Sequence, residues 1–123
     1  MCLLALAFHQ RTNTPLIVCS NRDEFYRRPT LPLHWWQDMP VLAGRDQEAG
    51  GTWLGLSKNG RFAAVTNFRE LSNPGFREPR PLSRGNLVTD FLCSQQPAKA
   101  WAESVMPALD LYGGFNLLFY DGN

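Results

Sequence analysis

The hydrophobic pattern of the chain opens with a strand that is apolar on both faces, over Cys2–His9. A polar segment, Gln10–Pro15, follows it, and then a short strand rich in β-branched residues, Leu16–Ser20. The pattern predicts that the two strands pair as an antiparallel hairpin. A strand without a polar face is typical of the middle of a layered fold, so we expect the first strand to be covered on both sides.

The register of this hairpin decides which side chains meet beyond its open end. Pairing about the centre of the polar turn places His9 opposite Leu16, and counting outward places Cys2 opposite Asp23, within one residue. The thiol is then predicted to lie beside the charged segment 21–24, which reads Asn-Arg-Asp-Glu.

The middle of the chain is predicted to contain two loops with a hairpin between them. The segment Asn21–Gly50 is rich in proline and tryptophan, and we interpret it as an irregular loop of the kind that carries function or a lid. The strands Gly51–Ser57 and Arg61–Asn67 are separated by Lys-Asn-Gly, and Asn-Gly is a strong hairpin-turn signal. The segment Phe68–Leu82, which contains Pro-Gly, is predicted to be a second loop.

Two helices and a strand complete the pattern. The spacing of apolar residues predicts a helix over Arg84–Cys93 with Ser83 as its cap, and a second helix from Pro97 that fades near Pro107. Phe115–Tyr120 is predicted to be a strand. The fold class is therefore α+β. Asp-Gly after this strand announces a return strand that the sequence does not contain, so we expect residues 1–123 to be the N-terminal part of a larger domain.

Composition and charge narrow the function classes. The chain has 123 residues, 44% of them hydrophobic, and a net charge of +1. These values fit one domain with a real core and argue against nucleic acid or a membrane surface as a partner. The apolar run near the start has neither the flanks of a signal peptide nor the length of a membrane span, so we expect a cytoplasmic protein, or a mitochondrial one in a eukaryote.

The three cysteines are expected to be reduced thiols. The predicted register places Cys19 opposite Leu6 and away from Cys2, which is unfavourable for a disulfide. The residues His9, His34, Met39 and Met106 have no metal-ligand spacing, so no metal site is predicted.

Cys2 is the main candidate for chemistry. Removal of the initiator methionine would leave its α-amine, with a pKa of about 7.7–8.0, beside its own thiol as a general base. The alternative is a small packing residue at the start of a buried strand.

Other residues are weaker candidates. Arg22 can hold a carboxylate or tune the thiol, and Asp23 can orient the amine; the alternative is a solvated turn. Asn67, at a strand end, can donate to an oxyanion or can simply begin a turn. Trp53 can form an aromatic wall, but we expect it in the core. The run His34-Trp35-Trp36 can line a flat apolar ligand, but we expect a packed loop.

Several blocks of the sequence together resemble the NRDE-domain family, which is also called the transport and Golgi organisation 2 family. The matching blocks are Cys2 after the initiator, Asn21-Arg22-Asp23-Glu24-Phe25-Tyr26 with Arg28-Pro29, Gly50-Gly51-Thr52-Trp53-Leu54-Gly55, Thr66-Asn67, Arg84-Gly85 with Leu87-Val88, and Tyr112-Gly113-Gly114-Phe115-Asn116-Leu117. They occur in order over nearly the whole chain.

The resemblance implies a fold like that of the N-terminal-nucleophile hydrolases, with two antiparallel sheets face to face and a helix layer outside each, of which this chain is the N-terminal half. By the same analogy Cys2 is the nucleophile, Arg22 and Asp23 are its neighbours and Asn67 is an oxyanion donor. The candidate substrate contacts are Asn21, Glu24, Trp53, His34 and Trp35.

Three functions follow as expectations. The first is a cysteine amidohydrolase that acts on a small amide or thioester. The second is a non-catalytic carrier of haem or a lipid metabolite, since the family is associated with haem trafficking and with secretory and Golgi organisation. The third is an interaction module that keeps the fold without its chemistry. We expect no cofactor, and haem only as cargo.

Overall fold

A computed structural model describes residues 2–68 and 80–123. Its first two strands, β1 (Leu4–Arg11) and β2 (Thr14–Ser20), pair antiparallel as predicted. Phe8 lies opposite Leu16, and Leu4 lies opposite Ser20, so the register differs by one residue from the symmetric prediction. The cause is an irregularity between Phe8 and Arg11, where His9 has a φ of +51°. Between the Phe8/Leu16 pair and the Arg11/Thr14 pair β1 has one more residue than β2, so the rest of the hairpin is shifted by one position.

The other strands form one antiparallel sheet of five strands in the described part of the chain, in the order β3-β4-β5-β6-β7. Their bounds are Thr30–Trp35, Val41–Asp46, Leu54–Ser57, Phe62–Asn67 and Phe115–Tyr120. The strong Asn-Gly hairpin is confirmed as β5 and β6, with Gly60 at a φ of +78°. β7 is also confirmed, and it pairs with β6 along its whole length.

The prediction of an irregular loop over Asn21–Gly50 was wrong, because β3 and β4 lie within it. Proline indicated a loop there, but β3 is at the end of the strand order, where the missing N–H of Pro32 leaves no ladder bond unmade within the sheet. The pairing of β3 with β4 shifts register between Leu31 and His34, which also obscures the period-two pattern.

The two helices are confirmed as α1 (Arg84–Cys93) and α2 (Ala98–Val105). Ser83 occupies the N-cap position of α1 with an extended backbone, but its side chain makes no capping hydrogen bond. Pro97 caps α2, and the chain then continues as a 3₁₀ helix over Met106–Leu111. Most of the predicted loop Phe68–Leu82 lies outside the described residues.

The core lies between the five-stranded sheet and the helices. Phe91 of α1 is fully buried, and its ring centroid is 5.0 Å from that of Trp101 on α2 and 5.0 Å from that of Phe119 on β7. Ala63 and Val65 of β6 belong to the same cluster. Both α-helices therefore pack on one face of the sheet.

The β1–β2 hairpin lies against the opposite face of the sheet. The ring of Phe8 is 5.7 Å from that of Tyr120, and Leu4 shares a crevice with Ala64 and Leu118. The layers are helix, sheet and hairpin, an α+β arrangement of antiparallel strands as predicted. The expected burial of β1 on both faces was wrong for this structure, since Leu6 is 50% exposed. The helix layers implied on both sides appear on one side only among the described residues.

Candidate functional site

A polar pocket of about 100 Å³ lies where the start of β1, the segment after β2, the end of β6 and the start of α1 meet. This volume is below the ~300 Å³ at which pockets for drug-sized ligands begin, so the pocket fits a small chemical group. Six of the residues singled out from the sequence line the pocket: Cys2, Arg22, Asp23, Glu24, Trp53 and Asn67.

The predicted meeting of Cys2 with the charged segment is present. The backbone N–H of Asp23 donates to the Cys2 sulfur at 3.3 Å, and that sulfur is 3.9 Å from the Asp23 carbonyl oxygen. The Cys2 side chain is half-buried. These contacts hold the sulfur at the pocket wall.

Asn21 has a positioning role in this geometry. Its side-chain oxygen accepts a hydrogen bond from the Leu3 backbone N–H at 2.7 Å, and its own N–H donates to the Leu3 carbonyl at 3.2 Å. Together these bonds extend the hairpin by one step and carry Cys2 to the pocket. Asn21 is not among the residues that line the pocket.

Arg22 lies over an aromatic wall, the ring of Trp53. Its guanidinium carbon is 4.3 Å from the centre of the Trp53 ring, and its Nη2 is 4.0 Å from Glu24 Oε2. A guanidinium that contacts an indole through its face still has N–H groups that point away from the ring. These N–H groups can bind a ligand in the pocket. Gly44 makes room for this wall, because a Cβ there would lie 2.8 Å from the Trp53 ring.

Asn67 ends β6 opposite Phe115 and borders the same pocket as Cys2. Its side chain is exposed. Its role as an oxyanion donor stays a prediction.

His34 and Trp35 lie apart from this pocket, on β3. His34 Nδ1 is 2.7 Å from the Pro32 carbonyl, and Lys58 Nζ lies 5.6 Å from the Trp35 ring centre. Consecutive side chains of a strand point to opposite faces. The two residues therefore do not form one wall, and their roles as ligand contacts stay predictions.

Sequence reasoning missed an ion pair at the pocket edge. Arg28 Nε lies 3.1 Å and 3.2 Å from the two carboxylate oxygens of Asp46, and 3.3 Å from Glu48. The hydrogen bond from Arg28 lowers the pKa of Asp46, and the same bond raises the pKa of Arg28. Arg28 was visible in a matching block, but Asp46 lay inside the segment that we interpreted as a loop.

Two glycines bring α1 to the pocket. A Cβ on Gly51 would lie 2.9 Å from the carbonyl carbon of Gly85, and a Cβ on Gly85 would lie 3.0 Å from the Thr52 carbonyl oxygen. Only glycine allows this backbone approach. The contact places Arg84, the first residue of α1, at the pocket, where its Nη1 donates to the Gly114 carbonyl at 2.8 Å.

Residues 2–68 and 80–123 contain neither a cluster of metal-ligating side chains nor a long apolar helix. In these ranges, no three histidine, cysteine or acidic side chains gather as a metal site. The described helices include none with the length and apolar character needed to cross a bilayer. All three cysteines are free thiols.

Comparison with known proteins identifies relatives over the whole sequence. The family model described as "Transport and Golgi organisation 2" matches residues 1–123. The mouse "Transport and Golgi organization 2 homolog" is 37% identical over 129 aligned positions, which cover 98% of this chain and 45% of the mouse protein. The bovine homologue is 39% identical with the same coverage, and the fruit-fly "Transport and Golgi organization protein 2" is 31% identical over 84% of this chain and 38% of its own length.

The chain spans about 45% of the length of the curated mammalian relatives that it matches. The matched region includes the hairpin, the pocket and both helices. Because the family model covers every residue and the mammalian relatives align over nearly all of the sequence, this chain belongs to the transport and Golgi organisation 2 family.

Proposed function

We propose that this protein is an N-terminal cysteine hydrolase that cleaves a small amide or thioester, with Cys2 as the nucleophile. The observation that carries the proposal is the position of the Cys2 sulfur, which is 3.3 Å from the Asp23 amide at the wall of a polar pocket. A partly exposed thiol near a guanidinium is an environment in which reactive cysteines are found, and Arg22 lines the same pocket as Cys2.

The chemistry begins with removal of Met1, which frees the α-amine of Cys2. The amine accepts the thiol proton, and the sulfur forms a bond to the substrate carbonyl carbon. Asn67 donates a hydrogen bond to the oxyanion, in the role that preorganised amides have in acyl transfer. The C–N or C–S bond then breaks, and the ammonium group returns its proton to the leaving amine or thiolate. Water hydrolyses the resulting acyl-cysteine and regenerates the thiol.

Neighbouring groups position these reactants. The Asp23 N–H fixes the sulfur, while Asn21 fixes the strand that carries it. Arg22, held on Trp53 by its stacked guanidinium, offers edge N–H groups to a substrate carbonyl or carboxylate.

Two measurements test the proposal. The intact mass of the purified protein should lack the initiator methionine, because a retained Met1 would block the base. A panel of simple amides and thioesters should then give turnover that is lost in Cys2→Ala and kept in Cys19→Ala, the matched control on β2. Retention of Met1, or equal turnover by Cys2→Ala, would sink the proposal.

A second candidate function is carriage of haem or a lipid metabolite. It is supported by a crevice of about 260 Å³ between the hairpin and the sheet. The crevice is lined mainly by apolar side chains, Leu3, Leu4, Ala64, Leu117 and Leu118, together with Cys2, Thr66 and Asn116. It is also supported by the exposure of Trp35, which is 50% accessible.

Titration with haem tests the carrier directly. A shifted Soret band that disappears in His34→Ala or Trp35→Ala would support it, and an unshifted band at micromolar haem would remove it. A cytoplasmic location, or a mitochondrial one in a eukaryote, stays a prediction under either function.

A further inference from the structure

The polar pocket contains three guanidinium groups, and two of them have carboxylate partners. Arg22 is 4.0 Å from Glu24, and Arg28 is bonded to Asp46 and Glu48. For the third, Arg84, no carboxylate lies within ion-pair distance among the described residues. Asp23, Glu24 and Asp46 also line the pocket, so Arg84 differs from Arg22 and Arg28 only in having no carboxylate of the described residues in direct contact.

The Arg84 side chain is half-buried and held in one place. Its Nη1 donates to the Gly114 carbonyl at 2.8 Å, and a Cβ on Gly113 would lie 3.2 Å from the same nitrogen. The side chain therefore lies along the backbone before β7, and its other N–H groups have no acceptor among the described residues. Burial, and after it the charge of Arg28, lowers the pKa of Arg84, and the charge of Glu24 opposes this with a smaller effect. Glu24 is not in ion-pair contact with Arg84, so the desolvation of the guanidinium is only partly offset.

An anion in the pocket would supply the direct contact that the Arg84 guanidinium lacks among the described residues. A carboxylate or phosphate can accept two parallel N–H bonds from a guanidinium, which is the geometry that arginine offers and lysine does not. Arg84 and Cys2 border the same pocket, so one small molecule can reach both. The charge therefore lies within the pocket where the reacting bond would be held.

We propose that Arg84 binds an anionic group, a carboxylate or a phosphate, of the small molecule on which Cys2 acts. The assignment rests on the proposed function for the identity of the molecule as a substrate. The anion-binding role itself is independent of turnover, and a binding measurement separates the two.

The test uses equilibrium binding of three probes to the purified protein. N-acetylglycine carries a carboxylate, N-acetylglycinamide is its neutral counterpart, and inorganic phosphate is the alternative anion. Wild type should bind at least one of the two anions about tenfold more tightly than the neutral amide, as a charge-assisted hydrogen-bond pair implies. The anion that binds more tightly identifies the carboxylate or the phosphate as the source.

Two variants and a matched control complete the experiment. Arg84→Gln should abolish the preference for the anion, and Arg84→Lys, which keeps the charge but not the fork of donors, should retain part of it. Arg80→Gln is the control, because Arg80 also donates to a backbone carbonyl, that of Asp110 at 3.1 Å, but is exposed and outside the pocket. Its binding should equal that of wild type.

Cys2→Ala distinguishes the two proposals. It should keep the anion preference even if the protein has no hydrolase activity, so loss of turnover and loss of anion binding are read separately. Equal binding of anions and the neutral amide by wild type, or an unchanged preference in a folded Arg84→Gln, would overturn the role of Arg84. If Arg84→Gln does not fold, Arg84→Lys replaces it, and a preference for the anion as strong as that of wild type would contradict the proposal. Failure of wild type to bind any of the three probes would contradict it as well.

Discussion

At the scale of single residues, the carboxylate of Asp46 shows how the pocket edge is held. It accepts hydrogen bonds from Arg28 Nε at 3.1 Å and 3.2 Å, and from the backbone N–H groups of Glu48 and Ala49 at 3.2 Å and 3.3 Å. The side chain of Asp46 is nearly buried. Its lowered pKa follows first from the Arg28 bond and then from the backbone amides.

This pair predicts a pH dependence of stability. Because the folded pKa of Asp46 lies below its unfolded value of about 3.9, the ion pair contributes fully above about pH 4, and the contribution is lost as the pH falls through the folded pKa. Asp46→Asn should lower the free energy of unfolding at neutral pH by about 1–3 kcal/mol. It should also flatten the acid limb of a urea-denaturation series measured against pH.

Asp38→Asn is the control for the acid limb. Asp38 pairs with Arg45 at 2.7 Å, which lowers its pKa, but its side chain is half exposed. Its loss should therefore change stability less than that of Asp46. An acid limb in Asp46→Asn as steep as in wild type would contradict the role given to the pair.

At the scale of elements, the sequence correctly predicted the turns and helices whose formation depends on residues close by in the chain. The Asn59-Gly60 turn and the apolar spacing of α1 depend on nearby residues, and both were confirmed. β3 and β4 were missed because the nearby prolines indicated a loop. These segments form strands because they pair with each other within the sheet, which the local sequence does not show. Pro32 is compatible with a strand only because β3 is at the end of the sheet order, a position that the sequence does not specify.

The contact between Gly51 and Gly85 predicts an effect at the joint of β5 and α1. Gly51→Ala should lower the free energy of unfolding by about 1–3 kcal/mol, because the new Cβ would lie 2.9 Å from the Gly85 backbone, which must move. Urea denaturation measures the change. Asn86→Ala, in the same turn of α1, removes no hydrogen bond made by the Asn86 side chain in the described structure and should have little effect. Equal free energies of unfolding for Gly51→Ala and wild type would contradict this prediction, because the Gly85 backbone would then move without destabilising the protein.

The aromatic cluster predicts the largest loss in the helix layer. Phe91 is fully buried against Trp101 and Phe119, and Arg61 lies over its ring at 4.1 Å. Phe91→Ala should lower the free energy of unfolding by about 3–5 kcal/mol. Leu33→Ala, at a side chain that is 67% exposed, should stay within about 0.5 kcal/mol. A loss at Phe91 no larger than that at Leu33 would place the core elsewhere.

At the scale of the whole molecule, the pocket is built from segments far apart in sequence. The meeting of Cys2 with Asp23 could be predicted because one short turn joins their strands, and the one-residue register error did not move the sulfur out of reach. The contributions of Asp46 and Arg84 could not, because they depend on sheet order and on the glycine contact that brings α1 to the pocket. Exposure of β1 also depends on the layers that pack around it.

The central claim, that Cys2 is an activated nucleophile, is tested most directly by finding which thiol an acylating ester modifies. Exposure alone favours Cys19 and Cys93, which are both more accessible than Cys2. Although the Cys93 residue is exposed, partial desolvation of its thiol, and then the charge of Asp90, raises the pKa of Cys93 and so reduces its reactivity. Cys19 is therefore the reference. After brief treatment with p-nitrophenyl acetate, peptide mass spectrometry should find the acetyl group on Cys2 ahead of Cys19. Acetylation of Cys19 ahead of Cys2 would contradict the account.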